Sequence, residues 1–341
     1  GITLPENLVR IDGEQRIRAL SLAGEAARLL VSLDECGIRA IVLKGPLLSQ
    51  IIYDDPAMRQ SADLDLLVDW DQFRSAREAL SSHGYQLFTN EPPWDDWRIE
   101  PWRRLAKDIT LFHPEREISL ELHHRLKSPD TLLPGIGVAQ ATQSITMAGR
   151  EFAAFERADL FAYLCTHAAT SFWDRLKWLA DLRAFLAGCG TSEIADLQAH
   201  SERLGTGRCT ALGLILCHRL WNQKLPQSVL DRVTNDQQLV ELEHASIARL
   251  LSPERQENSL ANSLDRRLQL LLRDDPAYKR SLAAEFFNDK ELLEERRIPR
   301  KLRFLYLPLR VVLFLSRKLG WRKSPIREAF AAQEAQKNRP A

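Results

Sequence analysis

Apolar positions recur with two different periods along this chain. Over residues 14–36, Ile17, Leu20, Ala23, Ala27, Leu30, Val31 and Leu33 form an approximately helical stripe that Gly37 stops. Residues 38–43 are short, mostly apolar and rich in β-branched side chains, which predicts a buried strand. Lys44, Gly45 and Pro46 follow, and Pro46 suits the first turn of a helix running to about Tyr53. A turn at Asp54, Asp55 and Pro56 leads to a second strand over 62–68. A helix over 71–83 is closed by Gly84, and a third strand is expected over 85–88. Segments 108–113 and 118–123 flank a turn and read as a β-hairpin. Residues 90–107 carry three Trp, three Pro and many charges, and read as a loop or short helix outside the core. The last strand is expected near residue 125. Everything after 150 reads as helix, over 156–171, 172–187, 193–204, 208–221 and 227–250, with no repeat at solenoid spacing.

This order of elements predicts an α+β fold in three parts. Residues 1–150 form a core with an N-terminal helix, 151–295 a helical domain, and 296–341 a basic amphipathic tail. The length of 341 residues has room for one large or two modest domains, and 45% hydrophobic with 27% charged residues excludes general disorder. The formal net charge of +1 conceals an asymmetry: residues 296–341 hold 13 Lys/Arg against two acids, so the body is acidic. The five cysteines, Cys36, Cys165, Cys189, Cys209 and Cys217, include no CxxC pair, which argues against a disulfide scaffold or a Cys-rich zinc site and suits a reducing compartment. The first residues show no basic segment followed by an apolar run, and no apolar stretch reaches the ~20 residues of a membrane span. A cytoplasmic location is expected, with peripheral membrane association as an alternative that the tail leaves open.

The candidate chemistry lies between Leu43 and Val68. Strand periodicity places Asp63 and Asp65 on one face and Leu64 and Leu66 on the other. Neighbouring carboxylates repel unless a cation lies between them. Mg²⁺ is the natural one, with Mn²⁺ as an alternative, because it accepts carboxylate and phosphate oxygens together. Gly45 lets the backbone approach a phosphate, and the helix opened by Pro46 offers free amides at its positive end. Glu121 shares its strand face with Ser119 and His123. A hairpin strand lying beside the Asp63–Asp65 strand would bring it to the same metals. Three carboxylates holding two Mg²⁺ suit phosphoryl transfer, and Glu121 is also a candidate general base.

Together these residues resemble the DNA polymerase β-like nucleotidyltransferase superfamily, and more closely a bacterial family of uncharacterised nucleotidyltransferases. The resemblance is carried by Leu43-Lys44-Gly45, then Arg59, Ser61, Asp63, Asp65 and Val68, then Glu121-Leu122-His123. It continues through Asp159, His167, Trp173, Arg175, Leu176, Trp178 and Asp181, over roughly residues 15–190. It implies a nucleotidyltransferase core with a helical C-terminal domain, and metal-dependent transfer of a nucleoside monophosphate from a nucleoside triphosphate, ATP among them, to a hydroxyl or phosphate acceptor. The acceptor stays open between a small molecule, a peptide, a protein and an RNA end. The resemblance also implies a link to peptide natural product biosynthesis. Asp63, Asp65 and Glu121 are the implied catalytic and metal-binding residues. Lys44, Gly45, Arg59, Ser61, Arg175 and Asp181 are the implied nucleotide-binding ones, with His123 and His167 in support. Two departures stand out: Gly45-Pro46 replaces the usual Gly-Ser or Gly-Gly, and Glu121 replaces the usual third Asp.

Plainer readings stand beside these. Lys44 could be a surface charge, and Arg59 and Ser61 could stabilise a turn, although arginine's fork suits phosphate. His124 should point away from His123 and be structural, and His167 also fits a core residue. Lys177 and Asp181 have the spacing of an ordinary helical salt bridge. Trp94, Trp97 and Trp102 suit either acceptor recognition or packing. The tail could dock on the acidic body, lie on an anionic membrane surface or bind an anionic partner such as RNA, and Pro308 argues against one uninterrupted helix. The alternative function is a non-catalytic protein that holds a peptide or other partner in a degenerate nucleotide cleft.

Overall fold

The computed structural model describes residues 5–88, 90–252, 259–287, 293–294, 299–306, 308–309 and 312. In chain order the elements are α1 (Glu6–Glu35), β1 (Ala40–Val42), α2 (Gly45–Tyr53), β2 (Asp63–Val68), α3 (Trp70–Ser82), β3 (Gln86–Leu87), α4 (Ile99–Leu105), β4 (Asp108–His113), β5 (Ile118–His123), β6 (Gln143–Met147) and β7 (Arg150–Ala154). Helices follow: α5 (Arg157–Ala169), α6 (Leu176–Phe185), α7 (Thr191–Arg203), α8 (Gly207–Trp221), α9 (Gln227–Asn235), α10 (Gln237–Leu251), α11 (Ser259–Leu271) and α12 (Pro276–Phe287). The fold is therefore a mixed α/β core followed by a largely helical region, matching a polymerase β-like nucleotidyltransferase core with a helical domain.

Five strands form one mixed sheet in the order β1-β2-β5-β4-β3. β2 and β5 run parallel, with Asp63 opposite Ser119, Asp65 opposite Glu121 and Leu67 opposite His123. The other pairings in this sheet are antiparallel. On one face, Leu64, Leu66, Leu120, Leu122, Ile109 and Leu111 pack against Leu22, Ala26, Leu29 and Leu33 of α1 and Phe73, Ala76 and Leu80 of α3. The opposite face carries the polar members of β2, β5 and β4, and Leu67 joins Ile41 and Leu43 in a second cluster with the helical region. At its centre α8 is buried on every side from Cys209 to Cys217, as expected of a helix apolar all round. Trp173 packs so closely on α8 that a Cβ at Gly213 would lie 2.5 Å from its ring.

Several expectations are corrected here. The first helix begins at Glu6, and its buried stripe is Ala19, Leu22, Ala23, Ala26, Leu29, Leu30 and Leu33. Ile17 and Leu20 are off that phase and exposed. Strands do not end near 125: β6 and β7 form an antiparallel hairpin across the expected boundary at residue 150. Its two-residue turn, Ala148-Gly149, has positive φ at both positions (54° and 73°), the twist that short hairpins favour. The 90–107 segment is not wholly outside the core. Trp102 of α4 is completely buried among Trp70, Phe73 and His124, and donates to Glu294 Oε1 at 2.7 Å. The predicted helix over 227–250 breaks at Asp236, whose carboxylate accepts from the amides of Gln238 and Leu239 and so caps α10. Phe172 and Trp173, both at positive φ, delay the start of α6 to Leu176.

Most of the basic tail lies outside the described residues. Its beginning, Arg300–Leu305, is a short 3₁₀ segment, and Tyr306 meets the Trp97 ring edge-on at 6.0 Å. Among the described residues no helix is long and apolar enough to cross a membrane.

A buried carboxylate locks α1 to the far side of the sheet. Glu25 accepts from Arg28 (2.6 and 2.9 Å), Tyr85 (2.9 Å) and Arg116 (3.1 Å). Burial opposes its charge, but the bonds to Arg28 and Tyr85 prevail and hold its pKa below the ordinary 4.5. A depressed carboxylate pKa stabilises the fold above the unfolded value, and the contribution is lost as pH falls through the folded one. Glu25→Gln is therefore expected to destabilise the protein at pH 7 by about 2 kcal/mol. The gap to the unmutated protein should close as pH drops below 4.5 in thermal melts. A gap of constant size from pH 7 to pH 3.5 would contradict this account.

Candidate active site

The site grows from the end of β1. The Leu43 amide extends the sheet by donating to Asp65 O at 3.0 Å, and Lys44 continues extended into Gly45 at φ +67°. That left-handed conformation favours glycine, and a Cβ there would also press on Ser61 Oγ at 3.3 Å. Pro46 sits in the first turn of α2, as its fixed φ predicts. Ser49 ties the following loop down by donating to Asp55 O (2.6 Å) and accepting from the Arg59 amide (2.9 Å).

The β2–β5 register then assembles the charged groups. Asp65 Oδ1 lies 3.1 Å from Lys44 Nζ and 3.2 Å from His123 Nε2, and that same nitrogen lies 3.2 Å from Glu121 Oε2. His123 Nδ1 is 3.7 Å from Asp108 Oδ2. Lys107 pairs with Asp108 and lies 3.6 Å from Glu121 Oε2. Burial penalises ionisation of Asp65, yet Lys44 and His123 hold its pKa well below the ordinary range. Burial and the Asp65 charge push Asp63 in the opposite direction. Burial and Lys107 oppose a proton on His123, but its bonds to Asp65 and Glu121 outweigh them and raise its pKa.

One ligand atom each from Asp65, Glu121 and His123 fall within 4.8 Å of one another, a spacing that could hold a metal ion. Asp63 is on the same strand face but outside that set. Two carboxylates fit Mg²⁺ or Mn²⁺, and the imidazole nitrogen suits Mn²⁺ better than Mg²⁺. Burial first, and the neighbouring Asp65 second, raise the Asp63 pKa, and a cation there would favour its charged form.

The remaining expected residues are distributed around this cluster. Arg59 and Asp181 bond to each other at 2.8 Å, both nearly inaccessible, and Tyr53 Oη donates to Asp181 at 3.1 Å. Asp181 thus pairs across the two parts of the molecule instead of along its own helix with Lys177. Arg175 is exposed, with its guanidinium 5.6 Å from the Trp178 ring centroid. His167 packs edge-on to Trp178 at 5.2 Å. Burial, Lys44 and Lys127 drive its pKa well down while Asp65 acts in the opposite sense, so it lies within electrostatic reach of this cluster. His124 points away, into the Trp70–Phe73–Trp102 cluster, and bonds Ala106 O at 2.8 Å. Asp159 is bound to His200 at 2.6 Å. Trp97 lines a groove of about 940 Å³ with Asp95, Asp96, Glu100, Arg104 and Arg300. Sequence reasoning passed over Lys107, Asp108 and Lys127. Asp108 could have been found, because it alternates with Ile109 and Leu111 on the hairpin strand and so shares the polar face.

Comparison with known families agrees with this geometry. A family model described as uncharacterised nucleotidyltransferase matches residues 3–222, more than half of the chain and as far as the end of α8. The chain belongs to that nucleotidyltransferase family. No curated protein matches it. Among solved structures it is similar to the antibiotic-resistance factor ANT(2'')-Ia in solution, at 12% identity and TM-score 0.39, over 55% of this chain and 93% of that one. It is also similar to a crystal structure of ANT(2'')-Ia in complex with adenylyl-2''-tobramycin, at 12% identity and TM-score 0.38, over 53% and 97% of the two chains. At that level of superposition the likeness is loose.

The Arg59–Asp181 pair generates a prediction of its own. Arg59→Met leaves a carboxylate buried beside Tyr53 alone, and is expected to cost about 3–5 kcal/mol in urea unfolding. The double variant Arg59→Met/Asp181→Leu should recover a large part of that loss. Strictly additive losses would show that the two side chains do not act as a pair.

Proposed function

We propose that this protein transfers a nucleoside monophosphate from a nucleoside triphosphate to a hydroxyl or phosphate of an acceptor. The observation that carries the reading is the parallel register that sets Asp65 beside Glu121, with Asp63 and His123 on the same face and Lys44-Gly45 at its edge. The degenerate-cleft alternative has no need of such convergence. When bound, a divalent cation would neutralise these carboxylates, lower the pKa of the attacking hydroxyl and hold the triphosphate and the leaving pyrophosphate.

The chain's own groups divide the remaining work. Asp65 is kept ionised by Lys44 and His123, which suits a permanent ligand. Glu121, with a third of its side chain accessible, is more open than Asp65 and is the better placed to take the proton of an acceptor hydroxyl. Lys44 and Lys107 now rest on carboxylates; phosphate oxygens arriving with a cation would give them new partners. Gly45 and the amides at the start of α2 offer a close, positively polarised approach for the same phosphates. Arg59 and Asp181 hold the loop before β2 against α6, so their part in nucleotide binding is to position that wall. Arg175 and Ser61 supply further contacts to the nucleotide. His167 supports the opposite wall.

Incubation with each α-labelled nucleoside triphosphate, Mg²⁺ or Mn²⁺ and a host extract tests this reading. Label should pass to an acceptor, and Asp65→Asn or Glu121→Gln should reduce transfer by at least about 100-fold while leaving the fold intact by circular dichroism. Transfer that survives Asp63→Asn/Asp65→Asn would refute the proposal.

A further inference from the structure

Three cations around the acidic cluster rest on carboxylates. Lys44 rests on Asp65, Lys107 on Asp108 and Glu121, and Arg59 on Asp181. Lys127, four residues beyond β5, makes no ion pair among the described residues. Its Nζ donates to Thr170 Oγ1 at 2.7 Å, and that hydroxyl donates to His167 O at 2.9 Å. The side chain thereby reaches from the exit of the catalytic strand to the end of α5 on the opposite wall.

The charges facing Lys127 come from every side. Lys107 and Lys44 repel its ammonium. Asp108 of β4 acts in the opposite sense, while the Cys209 thiol of α8, pushed up to about 12 by burial, stays uncharged. His167 of α5 and Glu285 of α12 also lie within its electrostatic reach. A half-buried lysine with two lysines for neighbours and no carboxylate bonded to it is costly as a cation. An arriving polyanion would remove that cost, and Lys44, beside which a triphosphate is expected, is one of the charges acting on Lys127.

We propose that Lys127 binds the outer phosphates of the nucleotide, as a third lysine beside Lys44 and Lys107. The inference rests on the nucleotidyltransferase reading above and adds to it a residue and a proton. Burial and the two lysines push the Lys127 pKa down to about 7. Without nucleotide it is partly neutral at physiological pH; with phosphate oxygens beside it, it takes a proton from solvent. A lysine that merely caps α5 would gain no proton on nucleotide binding.

Calorimetric titration of the full chain with each Mg-bound nucleoside triphosphate, at saturating Mg²⁺ and in two buffers of different ionisation enthalpy, reads this proton directly. From a free-state pKa of about 7, uptake should be about 0.9 proton per nucleotide at pH 8 and about 0.1 at pH 6. Lys127→Met, checked for an unchanged Tm, should lose the uptake and weaken binding about 10-fold at pH 7. Lys127→Arg should bind with no uptake between pH 6 and 9, because its charge does not titrate there. Nucleotide binding by the unmutated protein without uptake at pH 8, or Lys127→Met as tight and as pH-dependent as the unmutated protein, would overturn the role of Lys127 and leave the nucleotidyltransferase reading standing. Failure of the unmutated protein to bind any of the four nucleotides would overturn both.

Discussion

The centre of this molecule depends on one backbone pairing, the parallel register of β2 with β5. It sets Asp65 directly beside Glu121 and places Asp63 and His123 on the same face. The register is held from behind: Leu64, Leu66, Leu120 and Leu122 fill the opposite face against α1 and α3. A slip of one residue would drive the carboxylates into that apolar layer and the leucines into the cleft, so the apolar core and the acidic site specify the same alignment. Hydrophobic burial thereby holds together charges that would otherwise separate.

The electrostatic cost of that arrangement is offset locally. Lys44 and His123 bond Asp65, while Lys107 bonds Asp108 and lies near Glu121. Asp63 and Asp65, two residues apart, are pushed in opposite directions because only Asp65 holds those cationic partners at close range. Such a network is poised for exchange. A divalent ion and a polyphosphate bring the same two signs of charge that the side chains now supply to one another.

The buried Arg59–Asp181 pair, with Tyr53 completing it, ties the two parts of the molecule together, so the loop that delivers β2 is anchored on α6. Several residues that carry the family pattern prove to be architecture. Trp173 is buried against Gly213, and Asp159 is bound to His200. Lys107 and Lys127 carry no place in that pattern, yet they stand among the cleft's charges.

What could be read in advance depended on local periodicity. Period-two alternation placed Asp63 with Asp65 and Glu121 with His123. Pro46 marked the start of α2, and Gly45 marked the backbone's sharp approach. The α+β order of elements was legible for the same reason, since burial of one face imprints its period on the residues. The β6–β7 hairpin was not, because Ala148-Gly149 is a weak turn signal and its strands expose much of their length. Nor was the phase of α1, where Ile17 and Leu20 are as apolar as the leucines that face the sheet. The partnerships across long sequence separations belong to the tertiary structure alone: Arg59 with Asp181, Trp102 with His124, and Lys127 with Thr170. A sequence pattern states which face of an element a side chain occupies, whereas only packing decides which distant element that face meets and which charges are left there to balance.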